Sequence, residues 1–174
     1  AAVPGKDKRI FFGIQPDDDA LRALLRAQAA IGADGRAMAA ENLHLTVAFL
    51  GSCDGAREAC AHRAALGVRG EAFRLRLDRC GHFERPRIVH IFPQETPPPL
   101  LSLHRGLCAA LRACDFRTPR AFKPHLTLFR GVTRPLTPGE FAAAEWTARS
   151  FCMVESRLTE KGARYTTLHE YPLT

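Results

Sequence analysis

The chain has no apolar run that approaches the roughly 20 residues of a membrane span, and its first eight residues are polar, unlike a secretory signal. None of its six cysteines forms a C-x-x-C pair, which argues against a zinc ribbon or a thioredoxin-like site. It also lacks the G-x-x-x-x-G-K-[ST] phosphate loop and the G-x-S-x-G nucleophile elbow. We therefore expect a cytoplasmic protein with free thiols and with neither P-loop nor serine-hydrolase chemistry.

The composition is that of one globular domain, because 174 residues with 46% hydrophobic and 25% charged side chains suffice for a single core. We expect residues 1–8 to form a flexible lead-in and residues 9–174 to form the domain. Lys and Arg number 25 against 18 Asp and Glu, a net charge of +7. This excess suits a polyanion such as RNA, although charge alone is equally compatible with a basic protein that binds nothing charged.

The pattern His-apolar-Thr-apolar occurs twice, at residues 44–47 and 125–128. Successive side chains of a β-strand point to opposite faces, so each motif places its His and Thr together and its apolar residues on the other face. Two such strands brought together present two imidazoles and two hydroxyls to one cleft. One His on a strand is usually structural, but two copies at equivalent places favour a functional role.

The motifs belong to a longer duplication. In each half a β-run that ends in Pro (9–16 and 87–93) leads into a helix (17–30 and 96–113), and a motif strand follows. This order predicts an α+β fold of two similar lobes with a cleft between them. Further predicted elements are a helix over 56–66, strands over 72–78, 151–158 and 164–169, a turn at Lys161 and Gly162, and an uncertain helix around 139–144.

Paired imidazoles suit proton transfer at a phosphate, with one His acting as base and the other as acid. The motifs contain no carboxylate for Mg²⁺ and no evident third ligand for zinc, so we expect neither a metal nor another cofactor. A strained cyclic phosphate diester fits this set, because threonine hydroxyls can stabilise charge on the non-bridging oxygens. His104 and Cys108 also have a spacing that can hold a metal, but a buried structural pair is the more common outcome.

Three segments carry a resemblance to a known family: ENLHLTVAFLG at 41–51, GHFERPR at 81–87 and FKPHLTLFR at 122–130. Together with the C-terminal stretch 156–173, they resemble the two-histidine phosphoesterase superfamily. Within it they are most similar to the RNA 2′,3′-cyclic phosphodiesterases, also called 2′-5′ RNA ligases. The resemblance covers the chain from about Arg9 onward.

This resemblance implies a bilobal fold, with two pseudo-symmetric lobes of antiparallel sheet, outer helices and a central cleft. It implies metal-free opening of an RNA 2′,3′-cyclic phosphate to a 2′-phosphate, with a weak reverse joining through a 2′-5′ bond. In the implied scheme His125 is the general base and His44 the general acid. Thr46 and Thr127 hold the phosphate, and Arg130 contacts phosphate or nucleotide.

Two of the implied contacts depend on local backbone geometry. Strict alternation turns Arg130 away from the face of His125, so Arg130 reaches the cleft only if the strand ends or bulges. Phe129 shares the His125 face and can stack a base, or it can belong to the core. His90 and Met38 stand where relatives often carry aromatic side chains.

Three functions remain open at this point. The first is an RNA-end phosphodiesterase, a monomer that makes no membrane contact. The second keeps the chemistry but acts on small cyclic nucleotides. A net charge of +7 strengthens the binding of such nucleotides less than it strengthens the binding of a long polyanion. The third is a non-catalytic nucleotide-binding or RNA-binding module, which has no need of two titrating histidines.

Overall fold

The structure is a computed structural model that describes residues 6–118, 121–137 and 139–174. The predicted lead-in falls largely outside these ranges, because residues 1–5 are not among them. Within the described residues, no helix combines the length and apolar character needed to cross a bilayer.

Ten strands form one large antiparallel sheet and a separate two-stranded one. The strands are β1 (Lys8–Ile14), β2 (Arg36–Ala37), β3 (Leu45–Cys53), β4 (Phe73–Leu77), β5 (Arg79–Phe83), β6 (Ile88–Phe92), β7 (Leu126–Arg130), β8 (Ala144–Ala148), β9 (Ser150–Thr159) and β10 (Gly162–Pro172). The large sheet has the order β10-β9-β1-β3-β7-β6-β5, with β2 paired to the last two residues of β7, and β4 pairs with β8. The two motif strands, β3 and β7, are therefore neighbours at the centre of the large sheet.

Three helices cover the sheets: α1 (Asp18–Ile31), α2 (Gly55–Leu66) and α3 (Pro98–Leu111). The sequence sets the ends of α1 clearly. The Asp17 side chain accepts a hydrogen bond from the backbone N–H of Ala20, and Gly32 adopts the left-handed conformation that ends the helix. Helix α1 packs against β8, and α2 packs against α3, which in turn packs against β3.

The two lobes meet where β3 meets β7. Strands β10, β9, β1 and β3 form one half of the large sheet, and β7, β6 and β5 form the other. Only Leu45 and Leu126 are paired between the two halves. The apolar residues of both motifs enter the core as predicted: Leu45, Val47, Leu126 and Leu128 are all buried.

The helices predicted at 17–30, 56–66 and 96–113 and the C-terminal hairpin are confirmed, whereas three strands, β2, β5 and β8, were missed. β5 runs into the GHFERPR segment. The helix predicted around residues 139–144 is absent from the described residues: 139–143 are irregular, and β8 begins at Ala144. Strand β8 is explained by its partner. Ala144, Trp146 and Ala148 are buried because they pair with the inward-facing residues of β4.

The expectation of six free thiols is wrong for one pair, because Cys60 and Cys114 form a disulfide between α2 and the short turn after α3. The cysteines are 54 residues apart in sequence and are brought together by the packing of α2 on α3. Sequence spacing alone does not reveal such a pairing. The other four cysteines, Cys53, Cys80, Cys108 and Cys152, are free.

Candidate active site

Both motifs line one cavity of about 180 Å³ between the two lobes, which we call the central cleft. His44 and Thr46 enter it from β3, and His125, Thr127 and Arg130 enter it from β7. The remaining lining residues are Met38, Asn42, Pro86 and Ile88. The structure thus brings together all but one of the site residues expected from the sequence.

The pairing of Leu45 with Leu126 explains this arrangement. His44 and Thr46 flank Leu45, and His125 and Thr127 flank Leu126, so all four polar side chains lie on the face opposite the buried leucines and line the cleft. The duplicated pattern produces a near-symmetric set of two rings and two hydroxyls around one space.

Phe129 and Arg130 exchange the positions that strict alternation gives them. Val89 pairs with Phe129 but the next residue, His90, pairs with Thr127, so Leu128 is an extra residue in β7 and forms a bulge. After the bulge Phe129 turns into the core, where it is 5% exposed, and Arg130 turns into the cleft. Of the two alternatives left open for Phe129, its position matches the core, and Phe129 does not line the central cleft.

His44 is enclosed by two aromatic rings. Phe11 stacks on it with ring centroids 4.4 Å apart, and the edge of Tyr165 approaches it at 5.2 Å. Gly13 leaves room for the ring, since a Cβ there would lie 3.3 Å from Cδ2 of His44. Asn42 links this region to the last hairpin, because its side-chain amide donates to the carbonyl of Ala163 at 2.8 Å.

His125 has a more open setting. The ring of Phe83 meets it edge-on at 5.2 Å, and the ring of His90 does so at 5.3 Å. His90 is buried and stacks on Phe83 at 4.0 Å. The absence of a side chain at Gly81 makes room for it, since a Cβ there would lie 2.6 Å from Nε2 of His90. His90 therefore fills the wall beside His125.

The backbone fixes the tautomer of both motif histidines in the same way. Nδ1 of His44 lies 2.8 Å from the carbonyl of Asn42, and Nδ1 of His125 lies 2.7 Å from the carbonyl of Lys123. A carbonyl only accepts, so each Nδ1 carries the proton, and each neutral ring keeps its lone pair on Nε2. In His44 that atom accepts a hydrogen bond from the Thr46 hydroxyl at 2.8 Å.

The electrostatic surroundings set His44 apart. Burial lowers its pKa to about 4, the hydrogen bond to Asn42 opposes this shift, and the positive charges of Arg130 and His125 add to it. Burial likewise lowers the pKa of His90 to about 4. Both rings are therefore neutral near pH 7.

Two larger cavities adjoin the central cleft at His125. One, of about 480 Å³, lies between residues 46–49 and 121–125 and is mainly apolar, with His104, Phe83 and Phe122 in its wall; we call it the apolar cavity. The other, of about 330 Å³, is lined by His90, Phe92 and Lys123, among others. The central cleft thus has a polar centre beside space that accepts an aromatic group.

Sequence reasoning missed the residues that hold the two histidines. Phe11, Tyr165 and Phe83 carry no local signal of such a role, and neither do the carbonyls of Asn42 and Lys123. The one available clue was position, because each carbonyl lies two residues before its His. The other candidate metal pair, His104 and Cys108, is buried, and Nδ1 of His104 donates to the carbonyl of Val47.

Comparison with known proteins agrees with the sequence resemblance. The model of the 2′-5′ RNA ligase superfamily matches residues 11–160. The RNA 2′,3′-cyclic phosphodiesterase of Escherichia coli (strain K12) is 35% identical over 147 residues, which cover 80% of this chain and 81% of that protein. The protein of the same name from Thermus thermophilus is 31% identical over 95% of this chain and 90% of its own length.

Solved structures show the same fold. Escherichia coli LigT in its apo form superposes with a TM-score of 0.89 at 29% identity and covers 98% of this chain and 99% of its own. LigT complexed with 3′-AMP gives a TM-score of 0.85 at 28% identity and the same coverage. The bilobal fold is confirmed, and the relatives carry the enzyme class that the paired motifs predicted. The chain belongs to the 2′-5′ RNA ligase superfamily.

Proposed function

We propose that this protein hydrolyses a terminal RNA 2′,3′-cyclic phosphate to a 2′-phosphate by acid–base catalysis with His44 and His125, without a metal or another cofactor. The observation that carries the proposal is the shared cleft, which two imidazoles of the same tautomer line together with both threonines. Curated relatives named for this reaction support it. The acting unit is the bilobal domain of residues 9–174.

In the proposed reaction Nε2 of His125 takes a proton from a water molecule as that water attacks phosphorus. The bond between phosphorus and the ribose 3′-oxygen breaks, and His44 delivers the proton from its own Nε2 to that oxygen. One P–O bond forms and one breaks, and the product is a 2′-phosphate with a free 3′-hydroxyl. Both rings then exchange protons with solvent and return to their starting states.

Thr46, Thr127 and Arg130 stabilise the phosphorus centre in this scheme. The hydroxyls and the guanidinium donate hydrogen bonds to non-bridging oxygens as negative charge grows on them. Arg130 is exposed at the cleft, is placed there by the bulge, and has no salt bridge to a described residue. Its guanidinium is therefore free to pair with the substrate.

The acid role of His44 needs a source for its proton, because its pKa of about 4 leaves the ring neutral near pH 7. The negative charge of a bound phosphate opposes this shift and favours the imidazolium. The Thr46 hydroxyl can follow the change, since it donates to neutral Nε2 and accepts from the protonated ring. We therefore propose that His44 gains its proton when the substrate binds.

RNA is the proposed substrate rather than a free cyclic nucleotide. The apolar cavity of about 480 Å³ accepts one terminal nucleoside beside the cleft, and the net charge of +7 favours a longer polyanion. Reverse joining of RNA through a 2′-5′ bond uses the same groups, with a 5′-hydroxyl in place of water. Because opening a strained ring in water is downhill, hydrolysis dominates.

We further propose that the protein acts as a monomer in the cytoplasm. The disulfide between Cys60 and Cys114 is unusual for that compartment, because cytoplasmic thiols are kept reduced. Alkylation of free thiols during cell lysis, followed by mass analysis of these two cysteines, measures their state in place. Light scattering of the purified protein measures the oligomeric state.

The direct test is incubation with an RNA oligonucleotide that ends in a 2′,3′-cyclic phosphate, in excess EDTA. We expect the wild type to yield a 2′-phosphate, and His44→Ala and His125→Ala each to lose at least about 10²-fold in turnover. His62→Ala is the matched control, because His62 bonds to Tyr171 away from the cleft. Turnover of small cyclic nucleotides alone would contradict the RNA assignment. RNA binding without any turnover would indicate a binding module instead.

A further inference from the structure

The two motif strands are weakly connected beside the cleft. A single residue pair joins β3 to β7, whereas β1 is paired with β3 along its whole length, from Lys8 to Ile14. Beyond that pair, residues 46–49 and residues 121–125 separate and form the two sides of the apolar cavity. Backbone hydrogen bonds of the sheet therefore do not set the distance between these two segments.

His104, on α3, contacts both sides of this gap. Its Nδ1 donates to the carbonyl of Val47 at 2.9 Å, on the β3 side. Its ring lies flat on Phe122 on the other side, with centroids 4.0 Å apart and planes inclined by 6°. His104 is only 8% exposed, so neither contact competes strongly with water.

Both contacts lie next to groups of the proposed mechanism. Val47 follows Thr46 directly, and Phe122 precedes Lys123, whose carbonyl holds Nδ1 of His125 at 2.7 Å. Residues 121–125 lie in neither helix nor strand, so no regular hydrogen-bond ladder fixes that carbonyl. The stack on His104 ties this segment to α3, and Phe122 also packs against the main core.

We propose that His104 is a positioning residue: it sets the width of the gap between the motif strands and, through Phe122, orients the Lys123 carbonyl that fixes the tautomer of His125. Its kinetic consequence rests on the proposed function, but its effect on His125 does not. His104 touches no reacting atom in this proposal. A shift of either segment by a fraction of an ångström displaces the base relative to the phosphate.

The kinetic test separates the two contacts. His104→Phe keeps a ring against Phe122 but removes the hydrogen bond, His104→Ala removes both, and Phe122→Leu removes the stack from the other side. We expect kcat to fall about 10-fold for His104→Phe and about 100-fold for His104→Ala, with KM changed less than about threefold. The double variant His104→Ala/Phe122→Leu should be no slower than His104→Ala alone, because the two residues act through one contact.

His62→Phe is the matched control. His62 also stacks on a ring, that of His169 at 3.7 Å, and also makes a hydrogen bond of 2.8 Å, to Tyr171. It lies on α2, outside the cavities that adjoin the cleft. His62→Phe should lower the free energy of unfolding and leave kcat at the wild-type value. If the role of His104 were purely structural, the His104 variants would behave in the same way.

A second measurement does not depend on turnover. Long-range ¹H–¹⁵N NMR spectra at pH 8 report which nitrogen of His125 carries the proton, with His125→Ala used to assign the signal. We expect Nδ1–H alone in the wild type and a mixture of tautomers in His104→Ala. An unchanged tautomer of His125 in folded His104→Ala would overturn the proposal. Additive losses of kcat in the double variant His104→Ala/Phe122→Leu would overturn it as well. If the wild type fails to open a cyclic phosphate, the proposed function is wrong, and the tautomer measurement alone decides the role of His104.

Discussion

Binding of a nucleoside 2′-phosphate is expected to put a proton on His44. The pKa of this ring is lowered to about 4 from a reference of 6.5, first by burial and then by the charges of Arg130 and His125. At pH 7 about one molecule in 1,000 of the empty protein therefore carries a proton there. A general acid in that state donates nothing, so the assignment requires a ligand that restores the pKa.

The negative charge of one bound phosphate supplies enough energy to restore the pKa of His44. Raising the pKa from about 4 to 6.5 takes about 3.4 kcal/mol, at about 1.36 kcal/mol for each pKa unit. A unit negative charge about 4 Å away contributes about 4 kcal/mol at an effective dielectric constant of about 20. A phosphate held between the two motifs lies in contact with His44, so one charge accounts for the whole shift.

The assay is an NMR pH titration of the ring signals of His44, with and without saturating 2′-AMP. We expect a value near 4 in the free protein and a rise of at least about two units in the complex. Ring signals of His62 and His169, which lie outside the cleft, serve as internal controls that the ligand should not move. A pKa that stays near 4 in the complex would refute the acid role and make His44 the group that accepts the proton.

Three further predictions concern the surroundings of the two histidines. Tyr165→Ala should raise the pKa of His44 from about 4, because water then reaches the ring, whereas Tyr165→Phe should leave it unchanged; the same titration measures both. Arg130→Ala should cost about 10²-fold or more in kcat, through loss of charge stabilisation, and Arg130→Lys should restore little of it because the bidentate geometry is lost; steady-state kinetics at fixed ionic strength decides. Cys60→Ser should lower the free energy of unfolding by about 2 to 4 kcal/mol in non-reducing buffer, since the disulfide closes a loop of 54 residues. Cys80→Ser is its control in urea unfolding, and an equal loss in both variants would contradict a special role for the bond.

The parts of the fold that local chemistry determines were predictable. Asp17 and Gly32 set the ends of α1, and alternation within the motifs placed Leu45 and Leu126 in the core. Strand β8 was not predictable in the same way. Its Ala and Glu residues favour a helix, and only pairing with the apolar face of β4 makes the extended form more stable.

The details of the site depended on tertiary contacts that no local pattern encodes. The bulge at Leu128 arises from the register between β6 and β7, and it alone decides that Arg130 faces the cleft and Phe129 the core. The disulfide arises from the packing of α2 on α3. In both cases the sequence limited the alternatives, and the choice between them was made by residues distant along the chain.

Two nearly identical motifs acquire different chemistry from their surroundings. Each His donates a hydrogen bond from Nδ1–H to the carbonyl two residues earlier, so the backbone holds both rings in the same tautomer. The walls differ, because Phe11 and Tyr165 enclose His44, whereas His125 lies where the central cleft and both adjoining cavities meet. A catalyst that moves one proton in and one proton out needs two groups that prefer different protonation states at one pH. Duplication supplied the pair of imidazoles, and we expect their unequal surroundings to give them separate roles: His125 borders both adjoining cavities, and His44 is enclosed by Phe11 and Tyr165.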